Sequence, residues 1–185
     1  MAERRILQIA DPTDQRTLKL RSQPVRQITP AIRQLAADMA ETMHTAGGVG
    51  IAAPQVGVNQ RLTVIYIPPE MEKLKDGTER EVEPAQQYVL LNPQIVKVGE
   101  REVIGLEGCL SMPGWYGEVP RANWVTVEYT GLDGKVRRIR RATGLLGRAL
   151  QHEIDHLDGI LFTERIRDLT TLKDYSEEQE QPAEA

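Results

Sequence analysis

The sequence predicts an α+β fold, with antiparallel β-sheets surrounding a central α-helix at residues 143–157 and a second helix, starting at Thr29, packed outside them. Three observations carry this expectation. Residues 122–130 (ANWVTVEYT) and 135–140 (KVRRIR) flank Gly131-Leu132-Asp133-Gly134, and Val125, Val127 and Tyr129 alternate on one face, the pattern of a hairpin. Residues 61–67 (RLTVIYI) and 88–98 are rich in β-branched side chains and read as further strands. From Thr143, at about 100° per residue, Leu145, Ala149, His152 and His156 fall on one side. Leu146, Leu150, Ile154 and Leu157 form an apolar stripe roughly opposite, so this helix is expected to be buried on two faces.

The 185 residues, 40% apolar and 27% charged, suffice for one domain with a sizeable core. That domain is expected over residues 1–170, followed by an acidic, disordered tail over 171–185. A formal net charge of -4 gives no broad attraction for phosphate backbones or anionic lipid, so neither a nucleic-acid substrate nor a membrane partner is expected. The N-terminal residues mix charges among their apolar positions and build no export signal, and no stretch is long enough to span a bilayer. Cys109 is the only cysteine; it has no intrachain partner, and the reducing cytoplasm is the expected location.

In chain order, residues 4–9 read as a short edge strand, followed by a polar passage marked by Asp11-Pro12 and Pro24-Val25. Thr29 suits an N-cap and Pro30 the first helical position; Ile32, Leu35, Met39 and Met43 then recur at helical spacing until Gly47-Gly48 end the helix. His44, at that C-terminal end, reads as a helix-dipole partner rather than a ligand. Gly47-Gly48-Val49-Gly50 with Ala52-Ala53-Pro54-Gln55 is a tight turn, or a backbone edge that lets a peptide approach while Gln55 offers a donor. It lacks the Lys-Ser/Thr pair of a phosphate loop. Residues 68–87 read as a solvated loop or loose hairpin, and Pro93 predicts an edge or a bulge within 88–98. Cys109, after Val103-Ile104, sits at a strand end, where core packing is the ordinary role of an isolated cysteine. The run Arg137, Arg138, Arg140, Arg141 reads as a solvated strand edge that discourages pairing.

The chemistry is concentrated in His152-Glu153-Ile154-Asp155-His156. Residues i and i+4 share a helix face, so two imidazoles aim at one cation with a glutamate beside them. A catalytic centre of the zinc type needs a third protein ligand and an open position for water. The downstream histidine of the pattern HExxHxxGxxH is replaced by Phe162; Glu164 is too close and Glu177 lies in the expected tail. Cys109 is the best remaining donor, since cation binding offsets the deprotonation of its thiol.

Three stretches, Gly48-Val49-Gly50-Ile51-Ala52-Ala53-Pro54-Gln55, Glu107-Gly108-Cys109-Leu110-Ser111 and Gln151-His152-Glu153-Ile154-Asp155-His156, together resemble the signature motifs of the peptide deformylase family, in the family's order. The resemblance spans about residues 5 to 167. It departs at Trp115-Tyr116-Gly117, where many members carry an arginine near the substrate.

The resemblance implies a metal-dependent hydrolase that removes the formyl group from N-formylmethionyl peptides. Cys109, His152 and His156 would bind one divalent cation; ligand type alone suggests Zn²⁺, and the family implies native Fe²⁺, replaceable by Zn²⁺, Ni²⁺ or Co²⁺. Glu153 would take a proton from the activated water and return it to the leaving amine. Gln55 and the Leu110 backbone N–H would stabilise the oxyanion, and Gly50 would contact the substrate backbone. Val49, Leu145 and Ala149 are candidates for the methionine pocket, although Leu145 equally suits plain core; Glu107 and Arg121 are candidates for a pair that orients Cys109 or a histidine. The expected partners are the formylated peptide and, transiently, the ribosome. A zinc endopeptidase shares the activated water and glutamate and is the enzymatic alternative. A structural metal site would need a fourth ligand that the sequence does not offer.

Overall fold

A computed structural model describes residues 2–74 and 77–176. In chain order the elements are α1 (Pro12–Leu18), α2 (Pro30–Thr45), β1 (Gly50–Ala52), β2 (Leu62–Ile67), β3 (Glu70–Lys73), β4 (Glu79–Glu83), β5 (Gln86–Val98), β6 (Glu102–Cys109), β7 (Met112–Ala122), β8 (Val125–Thr130), β9 (Val136–Ala142), α3 (Gly144–Leu157) and β10 (Lys173–Asp174). Among the described residues, every pairing of these strands is antiparallel. One sheet runs β1-β2-β5-β8-β9, a second β10-β7-β6, and β3-β4 form a separate hairpin.

The first sheet has a helix on each face, which accounts for the unbroken apolar run of β2. Leu62 and Val64 join Leu35, Met39 and Met43 of α2, while Ile65 points the other way and joins Ala149, Leu150 and Ile154 of α3. Leu62, Thr63, Val64 and Ile65 are all fully buried as a result. The other side of α3 meets the second sheet. Gln151 accepts from the Ala122 backbone N–H at 3.0 Å and donates to the Ala122 carbonyl at 3.1 Å, docking the helix on β7. The α+β arrangement is therefore the expected one, with α3 enclosed by strands and α2 outside.

Local differences have local causes. Asp11-Pro12 opens a helix, α1, in which the Asp11 carboxylate accepts from the Thr13 and Asp14 backbone N–H groups. Residues 4–9 form no strand. They are an arm whose Leu7 N–H donates to the Gln55 carbonyl and whose Ile9 N–H donates to the Ser111 carbonyl, both at 2.8 Å. The expected irregularity near Pro93 is a register shift between Leu91 and Gln94, with Asn92 at φ 52°. Past the expected tail boundary at 170/171 the chain still pairs: Lys173 and Asp174 lie against Tyr116 and Trp115. Backbone bonding holds this polar stretch, so its composition did not predict it. Residues 177–185 of the expected tail lie outside the described residues.

Candidate active site

Three elements converge on one cleft. β6 ends at Cys109, α3 brings His152, Glu153 and His156, and a 3-10 turn after β1, Ala53–Val56, carries Gln55. The Cys109 sulfur and one nitrogen each of His152 and His156 all lie within 4.8 Å of one another, with Cys109 Sγ 3.2 Å from His156 Nε2. His152 Nδ1 is occupied by Glu107 Oε2 at 2.9 Å, which leaves its Nε2 for the other donors. This set of one sulfur and two imidazoles suits a divalent transition metal.

The electrostatics of Cys109 suit one too. Burial pushes the Cys109 thiol up, but the charge of His156 and hydrogen bonds with both histidines outweigh it and bring the thiol down to about 5, favouring the ligating thiolate. Burial lowers His152, but Cys109 and Glu107 overcome this and raise it to about 10. Glu153 is 3% exposed, its Oε2 has no hydrogen-bond partner, and burial pushes it up to about 7 despite both histidines.

Around the donors the side chains are held tightly. Gln55 Oε1 accepts from the Ala52 N–H at 2.8 Å, which turns Nε2 toward Ser111 Oγ at 3.2 Å and Cys109 Sγ at 3.5 Å. Gly50 lies against Glu153, and an added Cβ would sit 2.8 Å from the Glu153 Cδ. The Leu110 side chain packs on Gly48, where an added Cβ would meet its Cδ1 at 2.7 Å. Val49, Gly50, Leu145 and Ala149 border a cavity of about 430 Å³ together with Cys109, His152 and Glu153. Leu145 is 46% exposed there, whereas Ala149 is buried and also packs in the core.

Glu107 and Arg121 do pair. Arg121 Nε and NH2 donate to the two Glu107 oxygens, each at 2.9 Å, so the expected pair reaches His152 through Glu107. Burial raises Glu107, but His152 and Arg121 outweigh it and hold the carboxyl at about 2. Sequence reasoning missed the rest of this network: Arg148 NH1 donates to Glu107 Oε1 at 2.8 Å, Arg121 NH1 donates to Asp155 Oδ2 at 2.5 Å, and Arg165 Nε donates to the same Asp155 oxygen at 2.9 Å. The available signal was Asp155, a carboxylate inside a helix expected to be buried on two faces. His44 stands apart from this cluster, against the Tyr66 ring.

The polypeptide deformylase family model matches residues 3–171 of this chain. The chain belongs to the polypeptide deformylase family. A peptide deformylase of Roseiflexus sp. (strain RS-1) is 68% identical over 178 residues, covering 96% of each chain, and one of Thermomicrobium roseum is 46% identical over 100% of this chain and 98% of its own. Among solved structures, the Ehrlichia chaffeensis peptide deformylase in complex with actinonin superposes with a TM-score of 0.78 at 36% identity, covering 92% of each chain. The Met-Ala-Ser-bound class I type b enzyme of Acinetobacter baumannii gives 0.74 at 34%, covering 89% of this chain and 99% of its own. The protein is thus a metal-dependent hydrolase that removes the N-terminal formyl group from N-formylmethionyl peptides, and its substrate is a peptide. This decides against the endopeptidase reading. No helix among the described residues is long and apolar enough to cross a membrane.

Proposed function

We propose that deformylation takes place at one divalent cation held by Cys109, His152 and His156, with Glu153 as the general acid/base. The observation that carries this reading is the Glu153 carboxylate, buried and with Oε2 unpartnered, next to three convergent donors. When bound, the cation supplies an acidified water as nucleophile. Fe²⁺ is the native ion on this reading, with Zn²⁺, Ni²⁺ or Co²⁺ able to replace it.

Glu153, raised to about 7, accepts the nucleophile's proton near neutral pH and delivers it to the leaving amine nitrogen as formate departs. The Gln55 amide, locked by Ala52, and the Leu110 backbone N–H donate to the oxyanion that develops on the formyl oxygen. Gly50 binds the substrate backbone, and Val49, Leu145 and Ala149 surround the methionine side chain. Glu107, fixed by Arg121, holds the His152 ring and tautomer. Residues 1–170 act as the catalytic domain. The protein works in the reducing cytoplasm, in keeping with a ligand thiol, and meets the ribosome transiently where formylated chains emerge.

The test combines metal analysis of anaerobically purified protein with formate release. Glu153→Ala is expected to keep its metal and lose nearly all turnover, and Cys109→Ala to lose metal affinity. A Glu153→Ala variant with near-normal turnover would end the acid/base assignment, and full occupancy in Cys109→Ala would end the ligand assignment.

A further inference from the structure

Trp115-Tyr116-Gly117, where the chain departs from the family pattern, lies on β7, and Trp115 and Tyr116 border the cleft. Tyr116 covers the strand next to Cys109, since a Cβ on Gly108 would sit 2.6 Å from its Cε1. The end of the described chain is laid directly along this wall. Lys173 and Asp174 pair with Tyr116 and Trp115, and the Tyr175 N–H donates to the Gly114 carbonyl at 2.8 Å. The Tyr175 ring then meets Tyr116 edge to face, with centroids 5.9 Å apart and planes at 78°. Gly114, at φ 79°, holds a left-handed backbone that a residue with a side chain rarely adopts, and a Cβ there would lie 3.1 Å from Asp174 Oδ1. Leu172 anchors the segment from below in a cluster with Val119, Phe162 and Ile166, and the Glu118 N–H donates to Thr171 Oγ1 at 3.2 Å.

We propose that this C-terminal segment is a tether for the substrate wall: Tyr175 is a positioning residue that fixes Tyr116, and Tyr116 bounds the bound peptide beside Gly108. The inference rests on the cleft being the peptide site. Tyr175 touches neither the three donors nor Glu153, so its effect falls on peptide binding and leaves the chemical step alone. The contact is between the two rings, so phenylalanine serves as well as tyrosine. Because Tyr175 acts through Tyr116, its loss has no further effect once the Tyr116 ring is gone.

The experiment uses the full-length, metal-loaded protein and formyl-Met-Ala-Ser, with formate release as the readout. Tyr175→Ala is expected to raise KM by about 2- to 10-fold, because peptide binding then has to supply the ordering of Tyr116 that one edge-to-face contact gave, with kcat and metal content unchanged and Tm lowered by no more than about 4 °C. Tyr175→Phe is expected to match the parent, and the Tyr116→Ala, Tyr175→Ala double variant to match Tyr116→Ala alone. An unchanged KM in Tyr175→Ala, a Tyr175→Phe as impaired as the alanine variant, additive effects in the double variant, or parallel losses of kcat and metal would each overturn the tether. If the parent protein released no formate, the deformylase reading itself would fail; normal parent turnover with an unmoved KM sinks the tether alone.

Discussion

Replacing Gly50 by alanine tests whether the position of the Glu153 carboxylate, rather than its mere presence, sets the rate. Gly50 lies in β1, and its backbone is one that alanine adopts, so the substitution adds a methyl group without backbone strain. That methyl would sit 2.8 Å from Glu153 Cδ and 2.9 Å from Cγ, where ordinary contact begins at 3.4 Å. Glu153 is 3% exposed and cannot swing into solvent, so its carboxylate has to withdraw by about 0.5–1 Å within a packed site. A misplacement of about 1 Å in catalytic geometry costs about 100-fold, so kcat is expected to fall by about 10- to 100-fold. The three atoms nearest that methyl all belong to Glu153, and metal content is expected to stay at the parent level. Formate release under saturating formylated peptide gives kcat, elemental analysis gives occupancy, and thermal melting reports the fold. A folded, fully metallated Gly50→Ala with kcat within about twofold of the parent would refute the geometric role of Glu153.

Arg121→Met strips two buried carboxylates, Glu107 and Asp155, of a shared cation. Arg148 and Arg165 remain, which places the expected loss near the lower end for a broken buried pair, about 3 kcal/mol in urea unfolding, and a loss below about 1 kcal/mol would show that the remaining arginines suffice. Leu145→Ala, at a half-exposed position, is expected to leave Tm nearly unchanged while raising KM about tenfold; a lowered Tm with unmoved KM would make Leu145 core. A hydrogen bond from Gln34, with help from the Ala2 N–H and Arg4 against burial, lowers the Asp38 carboxyl below its ordinary range. A depressed folded-state pKa means that its contribution is complete above about pH 4 and lost as the pH falls through the folded value. Asp38→Asn should therefore melt below the parent at neutral pH and converge with it in acid; a gap in Tm that stayed constant down to about pH 2 would contradict this.

What was legible in the sequence was whatever a short window of residues determines. The i,i+4 histidines and the opposing apolar stripe of α3 are set within fourteen residues, and the β-branched run of β2 needs two buried faces whatever covers them. Cys109 was reachable because the downstream histidine position holds Phe162, whose ring stacks on His152 instead. α1 spans seven residues, too few for a periodic pattern, although its Asp-Pro cap was in plain view. β10 is held by backbone pairing and has no apolar alternation to betray it. Arg148, Asp155 and Arg165 meet Glu107 and Arg121 only after β6, β7, α3 and the segment beyond it are assembled. In sequence they are charged residues of the kind that usually face solvent.

The polar burial on α3 explains where the remaining tension in the structure lies. Gln151, His152, Glu153, Asp155 and His156 are all buried on one helix, and each buried polar group without a partner costs about 1–3 kcal/mol. The fold meets most of this demand. Gln151 bonds the Ala122 backbone, His152 bonds Glu107, and Asp155 is held by Arg121 and Arg165. On this helix the atoms left without partners are Glu153 Oε2 and His156 Nδ1. A helix selected for stability alone would carry apolar residues at these positions, and the two unsatisfied atoms of this helix lie where the reaction is proposed to occur. Leaving Glu153 buried and unpartnered is also what brings its pKa to about 7, where a carboxylate can both accept and return a proton. A hydrogen-bond donor placed on Glu153 Oε2 would stabilise the fold and lower that pKa, and it would weaken the base that the chemistry requires.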